Sequence, residues 1–220
     1  MTNTSYSAIA FRILSTVLAA IFLTAQVATA NAPGPDGNRG HLNRLLHDEG
    51  VIAYLGLTED QARTAQAISD DVVERYREEF EIALAPFSRE ERVPLVRTVF
   101  YDVNEDTFEG LERVISAEQL QRLRQIEIQT FGVRAFARPG VIAHLGLTEE
   151  QSRQLGEIGN AMGRELQAIA RASDLSESER AAAAAPVRAT ALEQVRQRLQ
   201  PEQCVKWELL VGAAFGEQDG

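Results

Sequence analysis

The sequence predicts an all-α protein made of two tandem antiparallel helical hairpin units, elongated or cradle-like, and three observations carry that expectation. The run GVIAYLGLTEDQ at 50–61 returns at 140–151 as GVIAHLGLTEEQ, with ten of twelve positions identical. A long stretch copied at a fixed offset marks one structural unit written twice. From His41 onward, apolar residues recur three or four apart, the spacing of a helix face, and no stretch alternates as a strand does.

The elements follow in order. Residues 1–30 read as a secretory signal peptide: Arg12 supplies the positive start, 13–23 is a short apolar run, and Ala28-Thr29-Ala30 is a small-residue cleavage pattern. The run is too short for a permanent span, so the expectation is export to the periplasm or beyond, with an uncleaved anchor as the alternative. Residues 31–40, rich in Pro and Gly, read as a flexible start. A first unit is expected over 41–138, a second over 139–215, and a disordered tail over 216–220.

In the first unit a helix should begin at Thr58 with the stripe Ala65, Ile68, Val72, Tyr76, Phe80 and Ala83. A second should run from Ser88 to Val114, with Val96, Val99, Phe100, Val103, Leu111 and Val114 inward and Pro94 near its start, where the missing N–H matters least. In the second unit the stripe is Leu155, Ile158, Met162, Leu166 and Ala170, five positions that fall on the first stripe when 90 is subtracted. Its second helix should run from Ser176 to Leu199, kinked or restarted by Pro186. Closing helices begin at Ser116 and Gln200.

The helix starts share one chemistry. Thr58 with Gln61, Ser116 with Gln119 and Thr148 with Gln151 are capping boxes, in which the hydroxyl accepts from the N–H three residues on and the Gln side chain reaches back. Gln200 with Gln203 is a degraded copy that has Pro201 at the first helical position. Acid–base pairs at i,i+4 are expected for Glu59–Arg63, Glu118–Arg122, Glu149–Arg153 and Glu202–Lys206. Each contributes less than a cap, which is worth about 1 kcal/mol. Gly56 and Gly146 should stop the short preceding helices.

Paired motifs of this kind, Leu57-Thr58 with Gln61 and Leu147-Thr148 with Gln151, plus the weaker Ile115-Ser116 with Gln119 and Leu199-Gln200 with Gln203, resemble those of the Spy/CpxP family of LTxxQ periplasmic proteins. The layout is also similar to that of exported LTxxQ-repeat proteins of planctomycete bacteria. The family pairs two such motifs per chain and forms curved dimers that cradle unfolded polypeptides or modulate envelope-stress signalling. The resemblance therefore implies two fused units, a possible intramolecular pseudo-dimer, and polypeptide clients or an envelope protein as partners.

Charge and composition narrow the functions. With 22 Lys plus Arg against 32 Asp plus Glu the net charge is -10, which disfavours nucleic acid and anionic lipid. No membrane insertion is expected after leader cleavage. Cys204 is the single cysteine, and it reads as a small apolar residue on the last helix, with a bridge between chains as the other reading.

Candidate client-binding residues are Phe87, Phe100, Tyr101 and Phe108, part of an aromatic-rich first unit that also holds Tyr54, Tyr76, Phe80, Phe131 and Phe136. Phe87 and Phe108 fall off the inward stripes, which suggests an exposed groove or packing against the short N-terminal helix. A metal sensor would draw on His41, His47, Asp48, Glu49 and His144, but a spacing of six between His41 and His47 does not place both on one helix face. No nucleophile–base pair, phosphate loop or HExxH is present, so neither catalytic residues nor a cofactor nor a metal site is predicted. The expected function is non-enzymatic: a chaperone-like holder of polypeptides or stress modulator, or else a partner-specific adaptor of the envelope.

Overall fold

Several helices begin where a carboxylate or hydroxyl accepts from the free N–H groups of a first turn, as Asp48, Thr148 and Ser176 do. The structure, a computed structural model, describes residues 41–84 and 88–215. The predicted signal peptide, the stretch 31–40 and the tail 216–220 lie outside them. The described residues form helices and no strand: α1 (His41–Leu46), α2 (Glu49–Tyr54), α3 (Glu59–Leu84), α4 (Arg89–Leu111), α5 (Ala117–Phe131), a 3₁₀ helix (Gly132–Ala137), α6 (Pro139–Leu145), α7 (Glu149–Arg171), α8 (Glu177–Arg196) and α9 (Pro201–Val211). The protein is all-α, and among the described residues no helix is long and apolar enough to cross a membrane.

The chain divides into two compact units, Met1–Gln121 and Arg122–Gly220. That boundary precedes the expected one at 138/139. The reason lies in the 3₁₀ helix, which packs on α7 and α8 much as α1 packs on α3 and α4. Subtracting 90 carries 132–137 onto 42–47, so this turn is the second copy of α1. Leu45 and Leu46 are buried in one copy, Ala135 and Phe136 in the other. Phe131 and Phe136 thus belong to the second unit's core and not to an aromatic-rich first unit.

In the first unit, Val72, Tyr76 and Val103 form a cluster with Val73 and Val99 against it. Ala65 is also buried, while nothing is described of the Phe80 and Ala83 side chains. The inward face of α4 includes Asn104, Thr107 and Phe108. Leu111 follows Phe108 by three and Asn104 precedes it by four, so Phe108 sits on the true stripe. The expected stripe jumped from Val103 to Leu111 and missed the turn between them.

The second unit's core joins Leu155 and Met162 of α7 to Ala191 and Val195 of α8, Val133 and Phe136, and Trp207 of α9. Phe136 and Trp207 rings lie 4.2 Å apart and tilted. Free Cys204 is half-buried and packs against this core. Ala170, expected inward, is exposed near the end of α7.

Helix α8 is continuous through Pro186, so the restart expected there does not occur. Both Pro186 and Ala182, whose carbonyl loses its partner, are exposed, so water can serve that oxygen. Pro94 is the sixth residue of α4, a turn deeper than a free N-terminal position. Two of the expected ion pairs shift by one, Arg63 pairing with Asp60 at 3.2 Å and Arg153 with Glu150 at 2.6 Å, and Arg153 also pairs with Glu157 at 2.5 Å.

Candidate functional site: paired glutamines and the surfaces beside them

Each capping box closes as two hydrogen bonds. The Gln61 N–H donates to Thr58 Oγ1 at 3.2 Å and the Thr58 N–H to Gln61 Oε1 at 3.0 Å. Ser116 with Gln119 does the same at 3.1 and 2.9 Å, and Thr148 with Gln151 at 3.1 Å for both. Gln200 donates its N–H to Gln203 Oε1 at 2.9 Å.

The glutamines have a second task that local spacing does not reveal. Gln61 Nε2 donates to Val114 O at 3.1 Å, two residues before the Ser116 cap. Reciprocally, Gln119 Nε2 donates to Leu55 O at 3.1 Å and Gly56 O at 3.3 Å, just before the Thr58 cap. The second unit repeats the exchange: Gln151 Nε2 to Arg198 O at 3.1 Å, and Gln203 Nε2 to Gly146 O at 3.2 Å. There the two amides also bond each other at 2.8 and 3.1 Å. Each unit thus locks two distant helix starts by a mutual clasp.

This geometry explains why the motif ends in Gln. An amide has an acceptor for its own cap and a donor for the facing loop, whereas a carboxylate has acceptors only. The box at Ser176 uses Glu179, and it stays local: Glu179 accepts from the Ser176 N–H at 2.8 Å and its hydroxyl at 2.6 Å. Gly56 at φ 61 and Gly146 at φ 64 turn the chain in the left-handed region just ahead of the caps, so that their carbonyls meet the amides.

The predicted client-binding residues do not gather. Phe87 lies outside the described residues, and Phe100 is on α4 with nothing described of its side chain. Tyr101 is half-buried, and Phe108 is 0% exposed, so Phe108 lines no exposed groove. Its burial follows from the inward stripe that it shares with Asn104 and Leu111. The large apolar side chains that are exposed among the described residues stand elsewhere, on α9: Val205 at 57% and Leu209 at 71%, one turn apart.

Polar groups of the first unit meet beside α1. Asn43 Nδ2 donates to Ser69 Oγ at 3.1 Å and to Asp70 Oδ1 at 2.8 Å. His47 Nδ1 lies 2.9 Å from Asn43 O, and its Nε2 3.5 Å from Asp70 Oδ2. Asp48 caps α2, accepting from the Val51 N–H at 3.1 Å, and Glu49 is in that helix's first turn. His144 is exposed on α6, in the other unit. Among the described residues no three His, Cys, Asp or Glu side chains converge as metal ligands.

Two further interactions fix helices from within. Tyr76 Oη donates to Asp106 Oδ2 at 2.9 Å, and burial first, then this bond, raises the phenol above its ordinary range. Glu127 and Arg138 form a buried ion pair, with the guanidinium 5.2 Å above the Phe131 ring.

No family model, curated protein or solved structure matches the chain.

Proposed function

We propose that this chain is a non-enzymatic binding protein of the bacterial envelope, built from two fused LTxxQ-type units that hold polypeptides. The observation that carries the reading is the reciprocal glutamine clasp, formed once in each unit. It gives the paired motif a structural role, the joining of two helix starts, and so favours the resemblance to the Spy/CpxP family over chance recurrence of a capping sequence. An acidic chain with a net charge of -10 would prefer clients that carry positive charge.

Light scattering of a heat- or reductant-aggregated client tests the proposal. Equimolar protein is expected to suppress aggregation, more for a basic client than an acidic one. Unchanged scattering for both overturns the holder reading.

A second reading, a partner-specific adaptor, is favoured by the burial of Phe108 together with the small exposed pair Val205 and Leu209. A discrete apolar spot suits one partner better than many clients. Pull-down from envelope extract separates the two readings, since one stoichiometric partner supports the adaptor and many sub-stoichiometric proteins support the holder.

A further inference from the structure

A single side chain holds the segment that follows α9. Gln129, on α5, donates through Nε2 to Val211 O at 2.8 Å and to Ala213 O at 2.7 Å, and its Oε1 accepts from the Phe215 N–H at 2.8 Å. All three partners are main-chain groups. The chain leaves the helix at Gly212, with φ 67 and ψ -164, a backbone region open essentially to glycine alone. A Cβ there would meet the Gln125 side-chain amide at 2.4 Å. Gln125 in turn accepts from Arg122 Nη1 at 2.9 Å, so its amide is held from the other side.

An amide that reads only carbonyls and N–H groups tolerates any side chain on the segment it binds. Selectivity then comes from the one position whose left-handed backbone, close under the Gln125 amide, favours glycine. The only large side chain of the segment, Phe215, is half-buried at its far end.

We propose that Gln125 and Gln129 form a polypeptide-binding site, filled in this structure by the chain's own residues 211–215. Its ligand class is a short irregular peptide segment with glycine at the second position and an apolar residue at the fifth. The cis segment acts as a competitor that an incoming peptide must displace. The link to client holding rests on the function proposed above, whereas the site itself rests on the Gln129 geometry.

The test uses the full chain and a fluorescent peptide of residues 210–220 as probe, read by anisotropy. Gly212→Val should expel the cis segment while leaving Gln129 in place. Peptide affinity is expected to rise about tenfold over the unsubstituted chain, the relief of a site otherwise open in roughly one molecule in ten. Adding Gln129→Leu should abolish that gain with helical circular dichroism retained. A chain ending at Val211 serves as the second route to an empty site should Gly212→Val fold poorly. Equal binding to unsubstituted and emptied chains, binding indifferent to Gln129→Leu, or no binding to any folded emptied chain overturns the proposal. Aggregation suppression by the unsubstituted protein is measured separately, so failure of the holder reading and failure of this site are distinguishable.

Discussion

The two units make the same helix–helix contact with opposite chemistry. In the first, Asn43 of α1 meets Ser69 of α3 through a buried hydrogen bond of 3.1 Å. Ninety residues on, Val133 of the 3₁₀ helix meets Gly159 of α7, where an added Cβ would sit 3.9 Å from Val133 Cγ1. Both members changed together, polar pair to apolar pair, and the contact survived. At this contact the packing is retained while the side-chain chemistry differs in both members. The polar version is the poorer solution, since Asn43 Oδ1 is buried with no hydrogen-bond partner.

A few residues later the units diverge further. Asp48 caps its own helix, while its counterpart Arg138 makes no side-chain cap bond and reaches the buried Glu127 instead. Breaking that difference gives the largest expected effect. Arg138→Met takes the guanidinium from the buried Glu127 carboxylate in the second unit and should cost about 3–5 kcal/mol, the usual penalty for removing one partner of a buried pair. Asp48→Ala, the matching change in the first unit, should cost about 1 kcal/mol. Urea titrations of both variants check the ratio, and adding Glu127→Leu to Arg138→Met should recover much of the loss. Equal costs in the two units would show that the buried pair is dispensable.

Exchange of the paired contact comes next. Val133→Asn places an amide against Gly159, which offers no side-chain partner, and should destabilise by about 2 kcal/mol. Asn43→Val with Ser69→Ala removes both partners of the buried hydrogen bond, together with the under-satisfied amide, and should lie within about 1 kcal/mol of neutral. Thermal melts of the two variants sharpen the comparison, because equal losses would mean that polarity is not what distinguishes the contacts.

This asymmetry also shows where the sequence was readable and where it was not. The helix starts at Thr58, Ser116 and Thr148 were legible because a cap is set by residues three apart. The division into units was not, because identity begins at Gly50 and Gly140, while the structural copy begins earlier, at residues as unlike as Asn43 and Val133. Phe108 was misplaced for a related reason: its stripe passes through Asn104 and Thr107, and polar residues interrupt an apolar pattern even when they are buried. The glutamine clasp was beyond reach, since local spacing shows what Gln61 does for Thr58 and says nothing of Val114, which the fold brings to its other end. Gln129 left no signal at all: its partners are main-chain groups more than eighty residues away.

A charge test separates the clasping boxes from the local one. Gln61→Glu keeps the cap acceptor and loses the donor to Val114 O, setting two oxygens against each other. It should cost about 1–2 kcal/mol, the range for a lost hydrogen bond with an unpaired partner. Glu179→Gln, where no distant carbonyl is served, should be close to silent at neutral pH. Denaturant midpoints for the two variants decide the matter, and a silent Gln61→Glu would remove the physical reason for Gln in the motif.

The smallest effect distinguishes the same boxes by acid. The Ser176 hydroxyl, and then its N–H, hold the Glu179 carboxyl below its ordinary 4.5. In the second unit Glu150 is lowered likewise, first by Arg153 and then by Gln154. A carboxyl lowered in the folded state binds fewer protons there than in the unfolded chain. Its contribution to stability is therefore present above 4.5 and lost as pH falls through the lowered folded value. The Gln boxes at Thr58, Ser116 and Thr148 have nothing to protonate over that window. Melting temperatures followed from neutral pH down past 4.5 should fall less steeply for Glu179→Gln than for the unsubstituted chain. Both groups are fully exposed, so the difference should be slight and should shrink further in salt for Glu150, whose main partner is a charge, but not for Glu179, whose partner is a neutral hydroxyl. Parallel acid profiles would show that the Ser176 box contributes nothing that depends on its charge.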